Sequence, residues 1–172
     1  MPFAIRTYLD SDLQACRGLW EELTERHRQI YEDPTIGGDH VGLYFDRHLA
    51  RVGAENLFLA AEDGVVVGMT GLILGEDEAE VEPVVVSAPR RGRGIGSQLL
   101  GAAIERARSL GLRHLNIGPV ARNSRALELF IRSGFGLIGH VNLFMELKPD
   151  GRAPPRSPEE TAQLTDLLAR WS

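Results

Sequence analysis

Lysine is almost missing from this chain: of 19 basic residues among 172, only Lys148 is a lysine. The basic set is therefore arginine, whose planar fork suits two-point recognition of phosphate. Cysteine is as scarce. Cys16 stands alone, which excludes an intramolecular disulfide and a cysteine-built zinc cage, and the five histidines do not cluster at metal-ligand spacing, so no metal is expected. No stretch approaches the roughly 20 apolar residues that cross a bilayer. Met1-Pro2-Phe3-Ala4-Ile5-Arg6 has neither the basic start nor the apolar run of a secretory signal, so a cytoplasmic protein with no membrane partner is expected. A net charge of −5 lacks the broad positive excess of a nonspecific nucleic-acid surface, so no nucleic-acid partner is expected either. No internal repeat is evident.

What is present is an ordinary globular composition, 43% hydrophobic and 25% charged. A chain of this length buries roughly 70% of its unfolded surface in one core. The mild net charge hides a division: residues 1–89 hold 6 basic and 17 acidic side chains, residues 90–172 hold 13 and 7. Opposite signs in the two halves suggest two kinds of ligand.

Periodicity predicts a mixed order of elements. Phe3–Leu9 alternates like a strand, and Asp10-Ser11-Asp12 offers an N-cap to a helix whose apolar residues Leu13, Cys16, Trp20, Leu23, His27 and Ile30 recur at helical spacing. Cys16 thus belongs to a core face rather than to a reactive site. Asp33-Pro34 and Gly37-Gly38 interrupt, and Asp39 can cap a second helix to about Arg51. Asn56–Glu62, Asp63-Gly64 and Val65–Leu74 read as a hairpin, because Asp-Gly accepts the positive φ angles of a two-residue turn. Strands follow at Ala79–Val86 and His114–Ile117, helices at Ser97–Leu110 and Asn123–Ser133, and a last strand or strand pair at Gly136–Glu146. This is an α/β protein with a mixed sheet and helices on both faces. Its domain is expected at 1–148, followed over 149–172 by a Pro-rich linker and a short amphipathic helix (Glu159–Trp171) that either packs on the parent domain or makes a homodimer.

The chemistry-bearing segment is Val84-Val85-Val86-Ser87-Ala88-Pro89-Arg90-Arg91-Gly92-Arg93-Gly94-Ile95-Gly96-Ser97. A strand delivers a loop with three glycines and three arginines to the first turn of a helix. Glycines let successive N–H groups converge, and the helix dipole adds to them, which makes an anion cradle suited to a pyrophosphate. A dinucleotide fingerprint fails, because the third glycine of Gly-x-Gly-x-x-Gly is replaced by Ser97 or Leu99 in either register. The ATP-type loop fails for want of Gly-Lys-Ser or Gly-Lys-Thr.

Arg91-x-x-Gly94-x-Gly96 resembles the Arg/Gln-x-x-Gly-x-Gly/Ala signature of the Gcn5-related N-acetyltransferases (GNAT). Asn123-x-x-Ala126-x-x-Leu129-Phe130-x-x-x-Gly134-Phe135 resembles that family's second landmark, Asn-x-x-Ala-x-x-Leu-Tyr-x-x-x-Gly-Phe. The resemblance implies a GNAT fold, a mostly antiparallel sheet of six to seven strands flanked by helices. It implies acetyl-CoA as co-substrate, with the backbone of Val84, Val85 and Val86 along the pantetheine arm and Arg91, Gly92, Arg93, Gly94, Ile95, Gly96 and Ser97 around the pyrophosphate. Asn123 and Phe130 would also contact the cofactor, and Arg125 or Arg132 could meet its 3′-phosphate. An amide near Val86 would polarise the thioester carbonyl.

Acetyl transfer to an alkylamine, whose pKa is near ~10, needs a group that takes the ammonium proton at pH 7. Glu82, four residues before Val86, resembles the glutamate that faces the amine in aminoglycoside-type members, and alternation puts it on one face with Glu80 and Val84. An exposed strand-end glutamate or a salt bridge to an arginine is the competing reading. Phe130 departs from the family pattern, for a phenyl ring has no proton to give the leaving thiolate. A thiol with a pKa of about 8.5 leaves tolerably without one, and a water, Tyr31 or Tyr44 could supply it. The acidic half would wall a groove for a cationic amine, a small molecule or a protein amine, or is simply a solvated acidic surface; Trp20, Tyr31, Tyr44 and Phe45 could contact such a cation, although their helical spacing equally suits the core. A catalytically weak or non-catalytic CoA-binding module is the alternative.

Overall fold

The computed structural model describes residues 2–120 and 122–139, together with Ala162 and Asp166. Met1–Phe135 forms one compact unit and Gly136–Ser172 a second. In chain order the first contains β1 (Ala4–Thr7), α1 (Leu13–Tyr31), α2 (Val41–Val52), β2 (Leu57–Glu62), β3 (Val65–Leu74), β4 (Glu78–Val86), α3 (Ile95–Ser109), β5 (His114–Ile117) and α4 (Ser124–Arg132). The predicted hairpin is present: Asp63 (φ 51°) and Gly64 (φ 79°) both take the positive φ of a two-residue turn. Five strands, not six to seven, are seen among the described residues. Gly136–Gly139 has no strand, and the remainder of the expected final strands lies outside the described residues, as do the linker and most of the terminal helix. Ala162 and Asp166 of that helix are helical and exposed.

The sheet runs β1-β2-β3-β4-β5 in sequence order, antiparallel until β4, which pairs parallel with β5. A parallel pair requires a crossover, and α3 supplies it. Strand alternation then sends side chains into two cores. On one face Phe58, Ala60, Leu72, Ala79 and Val81 pack with Ile95, Leu99, Leu100 and Ala103 of α3 and Phe130 of α4. On the other, Leu57, Leu59, Met69 and Val85 pack with Cys16 and Leu19 of α1 and Phe45 and Val52 of α2.

Of the two expected N-caps, Asp12 does occupy the N-cap position of α1, whereas Asp39 is corrected. The Asp12 carboxylate makes no capping bond to α1; it is buried and takes two bonds from Arg6 (2.6 and 2.8 Å) and one from the Leu9 amide (2.9 Å). Asp39 does not cap α2, which begins after His40 without a side-chain cap. In the first case a guanidinium close by outcompetes the helix amides for the carboxylate, since a charge-assisted two-point bond is the stronger.

Candidate active site

Regular alternation fails along β4, and the failure positions the site. Thr70 pairs with Val84 but Leu72 pairs with Val81, so β4 uses three steps where β3 uses two. The extra residue lies at Glu82-Pro83, whose peptide is cis. Before it Ala79 and Val81 face α3; after it Val84 and Val86 do, and Val85 turns to the α1 and α2 core. Glu80 and Glu82 therefore do not share a face with Val84, contrary to simple alternation, because a bulge exchanges the faces downstream of it. Glu82 is half-buried at this break. Its carbonyl points at Gly71, where an added Cβ would stand 2.4 Å from that oxygen. Gly71 is thus a glycine because a backbone passes where its side chain would be.

The break has a second consequence. β5 pairs with β4 only from Glu78 to Val81, so the outer edge from Glu82 to Val86 has no strand beside it among the described residues. An unpaired strand edge presents amides and carbonyls to an extended ligand.

The loop that follows leads into α3. Gly92 (φ 78°) and Gly94 (φ 80°) are left-handed, and Gly94 is the α3 N-cap, so no side chain caps the helix. The first-turn N–H groups of an α-helix have no intrahelical acceptor; here the loop before them, residues 91–94, is exposed, as is Ser97, while Ile95 is buried in the core. The two sequence motifs meet here. Leu129 of α4 lies so close to Gly96 that a Cβ there would be 3.1 Å from Leu129 Cδ2.

The three loop arginines do not converge on one empty point. Arg91 donates through Nε to the Val86 carbonyl (2.9 Å) and through an NH2 group to Glu22 of α1 (2.6 Å), which also accepts from the Ala88 amide (2.7 Å). Arg90 and Arg93 both grip Glu62, at the end of β2, Arg93 at 2.6 Å. The Arg93 guanidinium first, then Arg90, holds the Glu62 carboxyl down to about 2 despite its burial. Glu22 and Glu62 were invisible in the sequence as site residues, because each meets its arginine across 28 to 69 residues of chain. Two open cavities flank the loop, one of about 500 Å³ beside Glu62, Val65, Arg90 and Arg93, the other of about 440 Å³ beside Glu21, Glu22, Glu25, Arg26 and Arg91.

Asn123 does local work: its side chain accepts from the Ala126 amide (3.3 Å) and caps α4. Phe130 is buried against Phe135, ring centroids 6.4 Å apart at 68°. Of the aromatics in the acidic half, Phe45 is core, Tyr44 lies under Arg47 and Tyr31 under Arg122. Arg132 pairs with Glu128 on the surface of α4. His48 of α2, which no motif indicated, is buried 4.8 Å from the Trp20 ring with no hydrogen bond to Nε2. Burial holds its imidazole below the ordinary pKa, a shift partly opposed by the Glu82 carbonyl. Among the described residues no group of acidic, histidine or cysteine side chains could hold a metal, and no helix is long and apolar enough to cross a membrane.

The sequence profile described as Acetyltransferase (GNAT) family matches residues 16–135. No curated protein is similar enough in sequence to count as a match. Among solved structures, a transcriptional regulator from Bacillus halodurans C-125 superposes with a TM-score of 0.65 at 24% identity, over 85% of this chain and 100% of that one. Aminoglycoside N-acetyltransferase AAC(6')-Iy, in complex with the bisubstrate analogue CoA-S-monomethyl-acetylneamine, gives 0.61 at 20%, over 85% and 99%. A ribosomal-protein-alanine N-acetyltransferase from Brucella melitensis gives 0.62 at 23%, over 76% and 83%. At such identities the likeness is one of fold.

Proposed function

The chain belongs to the GNAT acetyltransferase family, and from that premise we propose that it moves an acetyl group from acetyl-CoA to a primary amine, with Glu82 as the base. The observation that carries this reading is the edge of β4 from Glu82 to Val86, which has no strand beside it among the described residues and is followed by the glycine loop to the uncapped start of α3. Its amides suit an extended, amide-containing arm, and the left-handed Gly92 and Gly94 bring N–H groups toward one anion. The residues present therefore fit a pantetheine pyrophosphate. Val84, Val85 and Val86 would hold the arm by backbone, the loop from Arg91 to Ser97 the pyrophosphate through its N–H groups, and an amide near Val86 the acyl oxygen. Asn123 and Phe130 would support the cofactor from α4, through the Leu129 contact with Gly96.

Acetyl-CoA supplies the activated acyl group as a thioester. The chain's own part is to orient it along β4, to accept the ammonium proton at the Glu82 carboxylate and to hold the acceptor. Beside the 440 Å³ cavity Glu22 is already bonded to Arg91, so it is Glu21 and Glu25 that would favour a cationic acceptor, a small molecule or a protein amine.

The test is CoA release over a panel of amines. Turnover with at least one cationic amine is expected, lowered about 10²-fold or more in Glu82→Gln and greatly slowed in Arg91→Glu. Tight acetyl-CoA binding without CoA release from any amine would refute transfer and identify a CoA-binding module. Full activity in Glu82→Gln would remove Glu82 as the base.

A further inference from the structure

We propose that Glu62 is a positioning residue for CoA binding, and that Arg90 and Arg93 shape the glycine loop through it instead of serving as phosphate ligands; this rests on the acetyl-CoA reading above. Glu62 closes β2, and its side chain is only 7% exposed. Arg93 reaches both of its oxygens, Oε1 at 2.6 Å and Oε2 at 3.3 Å, and Arg90 reaches Oε2. The two arginines bracket Arg91 and Gly92, so one buried carboxylate pins the loop on both sides of its first left-handed glycine.

The middle residue is pinned too, by the Val86 carbonyl and Glu22. Three guanidinium charges therefore stand against two carboxylates within the same cluster. Little net charge is left to attract an anion, and the site depends on how the N–H groups from Gly92 to Ser97 are aimed. Alignment of neutral dipoles is lost by a small displacement far more readily than the pull of a point charge. An exposed ion pair alone would add little, but a shared, nearly buried carboxylate fixes two side chains at once.

Charge and shape predict opposite signs for Glu62→Gln. Removing a negative charge and releasing two arginines should tighten CoA binding if those arginines are ligands. Loosening the loop should weaken it if they are staples. Calorimetry with CoA on the full chain decides between them. The expected result is about tenfold weaker binding in Glu62→Gln, with the Glu62→Gln/Arg93→Gln double variant no weaker than Glu62→Gln alone, and faster hydrogen exchange at the amides of Gly92 to Ser97. Unchanged or tighter binding in Glu62→Gln, or a double variant several-fold weaker than it, overturns the proposal.

Should Glu62→Gln fail to fold, Arg90→Gln decides. Two- to fivefold weaker binding with the wild-type dependence on ionic strength is the staple's signature. Unchanged affinity, or a reduced salt dependence marking a lost phosphate contact, overturns it. No CoA binding by the wild type would overturn the acetyl-CoA reading itself, and the proposal with it; normal wild-type binding with no weakening in Glu62→Gln overturns the staple alone.

Discussion

Replacing Gly71 by alanine probes the break in β4 directly. The new Cβ would stand 2.4 Å from the Glu82 carbonyl oxygen, 3.1 Å from His48 Nε2 and 3.3 Å from Val52 Cγ2. Real Cβ contacts do not fall below 3.0 Å, so β3 and β4 must part by about 0.6 Å at this point. The closest atom is backbone, which has no rotamer to escape into. Overpacking of a fitted interior costs about 1–3 kcal/mol, and three simultaneous contacts put Gly71→Ala near the top of that range. Alanine returns about 0.5–1 kcal/mol of the entropic penalty that glycine carries in a strand, leaving a net loss of about 2 kcal/mol. For a chain of this size that lowers Tm by roughly 4–8 °C. Urea unfolding should show a lower midpoint at unchanged slope, and on the proposal that Glu82 is the base, CoA release should fall as that residue moves with its carbonyl. Gly101→Ala is the matched control: it lies in α3 with nothing within 4 Å of an added Cβ, so it should gain about 1 kcal/mol from helix propensity. If Gly71→Ala were within ~0.5 kcal/mol of wild type, inside the usual range for an inconsequential surface change, the account of the break would be wrong.

Three further outcomes follow from the same structure. Cys16 is fully buried and its thiol is pushed up to about 12, so Ellman's reagent at pH 8 should leave the native protein unlabelled and modify one thiol in guanidinium; rapid labelling of the native state would contradict its place in the core. The Glu62 carboxyl, lowered from 4.5 to about 2, adds stability that is whole above pH 4.5 and is lost as pH falls toward 2. Thermal midpoints over that window should drop less steeply in Glu62→Gln than in wild type, and identical slopes would refute the ion pairs. Phe130→Ala should cost about 3–5 kcal/mol in urea unfolding, as expected for emptying a buried aromatic site; a loss under about 1 kcal/mol would mean that the ring is not part of the α3 core.

Much of the architecture was legible from local pattern. The Asp63-Gly64 hairpin, the start of β5 at His114 and the helical stripe through Leu13, Cys16, Trp20 and Leu23 depend on neighbours within a turn or a strand pair, and all are present. Spacing likewise marked the glycine loop and the Asn123 helix as one family's landmarks. Local pattern misled where a distant group competed. Asp12 holds the N-cap position of α1 but gives its carboxylate to Arg6, and Glu82 does not share a face with Val84 because the extra residue in β4 is defined only against β3.

The sequence by itself determined most elements of the described residues, their order and the family, and it marked the loop proposed to hold an anion, because each of these depends on residues close along the chain. Only the tertiary structure decided what the charges do. Read linearly, an acidic half and a basic half suggested separate ligands; folded, Glu22 and Glu62 of the first are bonded to Arg90, Arg91 and Arg93 of the second. Coulomb attraction acts across space, not along the sequence, so the partners of a charge are set by how the strands and helices bring it near another.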